Sequence, residues 1–169
     1  MTALIVFCAK YLFVLAPAIT VLVFWKLSPK ERRVMAVRGL VVLVLAVALA
    51  KGGGAVYHDT RPFAASHVQP LIPHVADNGF PSDHTLLAAC CAFLVLPFSL
   101  PAAGVTALVA IIVGAARVAS LLHWPLDIGA SLVFAAIANG IAWLVVRPRP
   151  TLVATPSPDR FQEPDRKTS

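Results

Sequence analysis

GFPSDHTLLAACCAFLVLPFSL, residues 79–100, sets a titratable pair, Asp83 and His84, at the mouth of a long uncharged stretch. An ionisable side chain against hydrocarbon is costly, so its presence marks a functional position or an interface. About 20 apolar residues cross a bilayer core about 30 Å thick as a helix. Residues 84–100 approach that length, and predominantly apolar stretches recur at 3–25, 34–50, 102–121 and 126–146. Residues 34–50 and 84–100 are short for full crossings and are completed by flanking polar residues that reach the interface.

The expected fold is therefore all-α, an integral membrane helical bundle with about five transmembrane helices forming one domain over residues 1–146. Composition agrees: 59% of the 169 residues are hydrophobic, 13% are charged, and mean hydropathy is +0.81, outside the balance of soluble globular domains. The first stretch lacks the basic start and small-residue cleavage site of a secretory signal, so it reads as a span. Cys8, Cys90 and Cys91 fall within apolar helices and read as small core hydrophobes rather than a disulfide framework. Residues 147–169, rich in proline and charge, predict a disordered tail.

Net charge is +6, and lysine and arginine in short loops tend to stay in the cytoplasm. The 26–33 connection and the tail carry most of these charges and lie on one side, so both are expected to be cytoplasmic. They read as topology determinants and contacts to anionic membrane lipids, not as a nucleic-acid surface. On the opposite, outer side lie the long 51–82 loop and the turn around His123. His58, His67 and His74 in that loop lack a ligand spacing and read as solvated rather than as a zinc site. Gly52–Gly54 lacks the ending of a phosphate loop, which leaves a hinge or a close helix contact.

The polar residues of the outer side can be placed on one level. Pro81 disfavours helix before it, Ser82 suits an N-cap, and Asp83 complements the positive end of the helix dipole. Pro125 likewise suits a helix start. Two helix N-termini thus open together, and their free N–H groups bind phosphate readily. Arg61 and Arg117 supply forked donors that match phosphate oxygens. If His123 and Asp127 share a continuous turn, their four-residue spacing puts both on one face, where the carboxylate can hold the imidazole in one tautomer. The set suits a phosphate ester with a lipid tail: His123 attacks phosphorus, and His84, protonated, donates to the departing oxygen.

Arg61-Pro62-Phe63, Pro81-Ser82-Asp83-His84, and Arg117 with five residues to His123 and three more to Asp127 resemble the three-part signature of the type 2 phosphatidic acid phosphatase superfamily. Asp83 in the third place of the second motif, together with Arg-Pro-Phe, is similar to the bacterial undecaprenyl-diphosphatase branch. The resemblance implies dephosphorylation through a phosphohistidine without metal or cofactor. His123 would be the nucleophile, Asp127 its orienting partner and His84 the general acid. Arg61, Ser82 and Arg117 would bind phosphate, with a backbone N–H near Asp83. The family's first motif commonly has Lys with six residues before Arg-Pro; here Gly54 stands in that place, and Lys51, kept among the phosphate-binding candidates, has nine intervening residues. Ala116 stands where the third motif often begins with Ser.

The implied activity is removal of the terminal phosphate of undecaprenyl diphosphate at the outer interface of a bacterial plasma membrane, recycling a carrier lipid for cell-wall synthesis. A second reading keeps the chemistry and changes the lipid to phosphatidic acid or phosphatidylglycerol phosphate. A third, from another class, is a proton-coupled transporter, which would carry its ionisable groups near the bilayer midplane.

Overall fold

Ser28 fixes where the longest helix begins. Its Oγ accepts the Glu31 N–H, the Glu31 carboxylate accepts the Ser28 N–H, and Pro29 takes the first helical position, a capping box with a proline start. The computed structural model describes residues 1–146. Its helices are α1 (Thr2–Lys10), α2 (Leu15–Lys26), α3 (Pro29–Val56), a one-turn α4 (Pro62–Ala65), α5 (Asp83–Val95), α6 (Leu100–Ala119) and α7 (Pro125–Val145). A 3-10 turn, Leu12–Val14, joins α1 to α2. Residues 147–169, expected as a tail, lie outside the described residues.

Helix α3 exceeds the expected 34–50 stretch at both ends and takes in Lys51 and the three glycines, so the connection to α5 starts near Tyr57. The glycine run is a close contact. A Cβ on Gly53 would lie 2.9 Å from the Phe134 ring and 3.1 Å from that of Phe80.

The stretch expected as one first span is broken: α1 and the Leu12–Lys26 segment meet at 41°. Helix α5 has 13 residues, about 20 Å of helix, less than a bilayer core. Three helices, α3, α6 and α7, are long and apolar enough to cross a membrane, or four if the bent pair is one span.

The short α5 packs against α2, α3, α6 and α7, and most of its side chains, including Ala88, Ala89, Cys90 and Cys91, are buried. Cys90 and Cys91 are free thiols within the core, as expected. Small residues let the helices approach, as they do between membrane helices; a Cβ on Gly114 of α6 would lie 2.7 Å from Ile128 Cγ2 of α7. Larger side chains such as Leu40, Leu43, Leu108, Ile111, Val133 and Leu144 face outward and are exposed. At the far end Arg38 is buried and donates from Nε and Nη2 to the Val146 carbonyl at 3.1 and 3.0 Å, anchoring α3 to the end of α7.

This packing brings together, at one end of the bundle, the C-termini of α3 and α6 and the N-termini of α5 and α7. The 57–82 connection closes over them.

Candidate active site

The end of α6 places His123. The Leu122 N–H returns to the Arg117 carbonyl and the Leu121 N–H to the Val118 carbonyl, a Schellman ending. Its left-handed position is held by Leu121, at φ 59°, where glycine is the usual residue. That conformation costs an L-residue about 1–2 kcal/mol. The Phe63 N–H donates to the Leu121 carbonyl at 3.1 Å, so this turn is tied to α4 and to Arg61 immediately before it.

Arg61, 6% exposed, is fixed on three sides. Its Nε donates to Asp77 Oδ1 at 2.7 Å, Nη1 to the Leu122 carbonyl at 2.9 Å, and Nη2 to the Asn78 carbonyl at 3.5 Å. The Arg61 hydrogen bond holds the Asp77 carboxyl below the ordinary carboxylate range. Asn78 ties the connection down. Its Nδ2 donates to the carbonyls of Gly54 and Tyr57, and its Oδ1 accepts from the N–H groups of Asp59 and Phe80.

His123 is almost wholly buried. Arg117 Nη2 lies 2.9 Å from its Nε2, and Arg61 Nη1 lies 3.4 Å from it. A guanidinium can only donate, so Nε2 bears the lone pair and Nδ1 the proton. The Nδ1–H donates to the Gly79 carbonyl at 2.8 Å, with Asp127 Oδ2 at 3.3 Å. Burial pushes the imidazole below its ordinary pKa; hydrogen bonding to Asp127 opposes this, and both arginines add to it. The ring is neutral, with its lone pair held between two cationic forks.

Asp127 is fully buried at the first turn of α7. Its Oδ2 also accepts the Trp124 N–H at 2.9 Å, while Oδ1 has no hydrogen-bond partner among the described residues. Asp59 is raised above the ordinary carboxylate range by burial and then by the charge of Asp127. Trp124 Nε1 donates to the Thr60 carbonyl at 2.9 Å, pinning α7 to the connection.

A cavity of about 540 Å³ opens over this arrangement, and Lys51, Arg61, Asp83, His84, Arg117 and His123 all line it. Three separated pieces of chain thus meet around one volume. The His84 ring stands edge-on to Phe13, with centroids 4.3 Å apart. Ser82 occupies the N-cap position of α5 without making a side-chain cap. It is fully buried, its Oγ lies 3.2 Å from Thr85 Oγ1, and it is not among the residues lining the cavity.

Sequence reasoning missed the roles of Asp77, Asn78, the Gly79 carbonyl and the turn at Leu121; His74, read as solvated, is exposed and stands at the cavity wall. Asn78-Gly79 is a turn-forming dipeptide, a signal that could have marked the loop. Nothing local marks the Gly79 carbonyl as the nearer acceptor for His123.

All-helical among its described residues, with helices apolar enough to cross a membrane, the chain carries at one end of its bundle a buried imidazole between two arginines, a set of donors that suits an anion. The particular family follows from comparison: the chain belongs to the PAP2 superfamily, which matches residues 35–149. It is 34% identical over 125 residues to the bacitracin transport permease protein BcrC of Bacillus licheniformis, covering 73% of this chain and 61% of that one. It is 31% identical over 142 residues to undecaprenyl-diphosphatase BcrC of Bacillus subtilis, covering 80% and 69%. With the putative undecaprenyl-diphosphatase YbjG of Escherichia coli it shares 27% over 128 residues, covering 75% and 64%. The chain thus spans somewhat under two thirds of the first relative's length.

Proposed function

We propose that this chain is a membrane lipid phosphatase that hydrolyses the terminal phosphate of undecaprenyl diphosphate, through a phosphohistidine at His123, on the outer side of a bacterial plasma membrane. The observation that carries the reading is His123 Nε2, neutral and unprotonated, held between Arg117 and Arg61 at the wall of the cavity. Two relatives are named for undecaprenyl-diphosphatase activity.

In the mechanism, oxygens of the terminal phosphate take over the arginine donors that rest on Nε2 in the free protein. The lone pair is released toward phosphorus, and charge developing on the equatorial oxygens meets two fixed cations. A bond forms from Nε2 to phosphorus as the bond to the bridging oxygen breaks. His84 delivers the proton that the leaving phosphate takes up. The Nδ1–H stays on the Gly79 carbonyl, and Asp127 stabilises the positive charge that grows on the ring. Water, deprotonated by His84, then attacks phosphorus; the nitrogen–phosphorus bond breaks, and inorganic phosphate leaves with His123 neutral again.

In this reading the bundle crosses the membrane about five times, with α5 and the bent α1–α2 segment counted as spans. The basic 26–33 connection lies in the cytoplasm, as does the C-terminus. The phosphate monoesters phosphatidic acid and phosphatidylglycerol phosphate are the alternative substrates. The name of the B. licheniformis relative favours the transporter reading. Against it, Lys51, His84, Arg117 and His123 gather at helix ends rather than midway along the helices.

The test is phosphate release from undecaprenyl diphosphate by the purified chain in detergent. His123→Ala is expected to abolish release in a protein that still folds. Substantial residual turnover would refute the nucleophile, and uptake into vesicles without phosphate release would favour the transporter.

A further inference from the structure

Lys51 has an unexplained position. The place that the family signature gives to lysine is Gly54, where a Cβ would lie 3.2 Å from the Phe80 carbonyl oxygen and 3.6 Å from Asn78 Nδ2. The 78–80 segment therefore leans on bare backbone, and a long side chain there would push it away. Lys51 lies three residues earlier, about 4.5 Å back along the helix axis, toward the middle of the bundle. It is exposed and forms no hydrogen bond or ion pair among the described residues.

A second cavity begins where Lys51 stands. A groove of about 430 Å³ runs between α3 and α5, with Gly39, Val42, Ala46, Leu86, Cys90 and Leu94 among its lining, and Lys51 and Asp83 line it as well. Those two residues also line the phosphate cavity, so the groove and the cavity adjoin at them. From Gly39 to Lys51 the groove follows twelve residues of α3, about 18 Å. Its walls are apolar except at the Lys51 and Asp83 end. This combination fits one kind of ligand: an isoprenoid tail along the groove with a multiply charged head at its polar end.

We propose that Lys51 binds the inner phosphate of a lipid diphosphate, holding it at the junction where the phosphate cavity meets the α3–α5 groove that takes the first part of the tail. This rests on the phosphatase reading above and assigns a residue that distinguishes a diphosphate from a monophosphate. Arg61 and Arg117 serve the terminal phosphate beside His123. The inner phosphate, next along the molecule toward the tail, needs a cation nearer the groove. Asp83 at the same junction repels a second anion, and Lys51 is the cation placed to offset it. The strongly hydrated ammonium of lysine acts as a point charge there, without demanding the planar geometry of an arginine fork.

The test compares phosphate release from a polyprenyl diphosphate and from the polyprenyl monophosphate of the same chain length, using the full chain in detergent. Lys51→Met keeps the stem and removes the charge. Its kcat/KM on the diphosphate is expected to fall at least tenfold more than on the monophosphate, mostly through KM, and Lys51→Arg is expected to recover most of that difference. In parallel, methylenediphosphonate and orthophosphate are compared as competitors. Lys51→Met should weaken the diphosphonate by a larger factor than orthophosphate. Equal losses on the two substrates and the two competitors, or no loss, would overturn the assignment while leaving the phosphatase standing. No phosphate release from either lipid by the unaltered chain would instead remove the phosphatase reading, and this assignment with it. For the groove, Val47→Trp places bulk at its exposed lip and should penalise a long-chain diphosphate at least fivefold more than a five-carbon one. Equal effects on both would overturn the tail path.

Discussion

Replacing Asp127 with Asn tests how the buried carboxylate acts on His123, because the change removes the charge and preserves the shape. An asparagine oxygen can still accept the Trp124 N–H, which now reaches Oδ2 at 2.9 Å, and still face Nδ1. The Gly79 carbonyl at 2.8 Å keeps the ring oriented in either case. What is lost is attraction to the positive charge that grows on the imidazole as Nε2 bonds to phosphorus. Two unit charges at the observed 3.3 Å separation attract by about 5 kcal/mol at an effective dielectric constant of about 20. With roughly half a charge developed, the loss is about 2.5 kcal/mol, or roughly 70-fold in rate. The assay is kcat for phosphate release with a melting curve measured alongside. A loss of about 50- to 100-fold with near-normal melting is expected. A loss below about threefold would reduce Asp127 to a cap for α7. A loss as complete as that of His123→Ala would mean that the Gly79 carbonyl does not orient the ring.

Because burial lowers the pKa of His123 and attack needs the neutral ring, the acid limb of kcat/KM should fall below the ordinary imidazole value of about 6.5. In Asp127→Asn, where the opposing contribution is gone, that limb should move lower still; a limb above that value in the unaltered protein would contradict the assignment. The same depressed pKa makes the native state bind fewer protons than the unfolded one, so stability should fall as pH drops through the imidazole range toward the folded pKa. Gly79→Ala puts a Cβ 3.3 Å from Arg61 Cγ and 3.4 Å from Asp127 Oδ2, and turnover should drop about tenfold or more through misplacement of both. Gly114→Ala should cost about 1–3 kcal/mol of stability through overpacking, read as a lower melting temperature. Ile128→Ala beside it should recover part, since the contact is with the Ile128 methyl at 2.7 Å.

Local chemistry made much of this molecule readable. Trp124-Pro125 announces the start of α7, because capping groups act within one turn; Ser28, Pro29 and Glu31, which by the same chemistry mark the start of α3, went unread, and the stretch was expected only from residue 34. His123 and Asp127 are readable as a pair because they lie four residues apart at the start of α7, although His123 precedes the extended cap residue Trp124 and no helical turn links them. What escaped depends on contacts between distant segments. Nothing beside Gly79 says that its carbonyl will meet His123 forty-four residues away. Leu121 takes a left-handed conformation that its own chemistry disfavours, held by a turn whose hydrogen bonds reach back to Arg117 and across to Phe63. Apolar composition likewise marked the helices but not their lengths. The break at Tyr11 carries neither proline nor glycine, and α5 ends at Val95, short of a bilayer core. Ser82 was readable as an N-cap by position, yet its hydroxyl pairs with Thr85 in the same first turn and caps no backbone N–H.

The most direct measurement is to quench the protein during turnover of a phosphate-labelled polyprenyl diphosphate and locate the label. A phosphoryl group that is acid-labile, stable to alkali and carried on the peptide containing His123 is the predicted result. Label on another residue, or steady turnover by a chain in which His123 is replaced, would contradict the account.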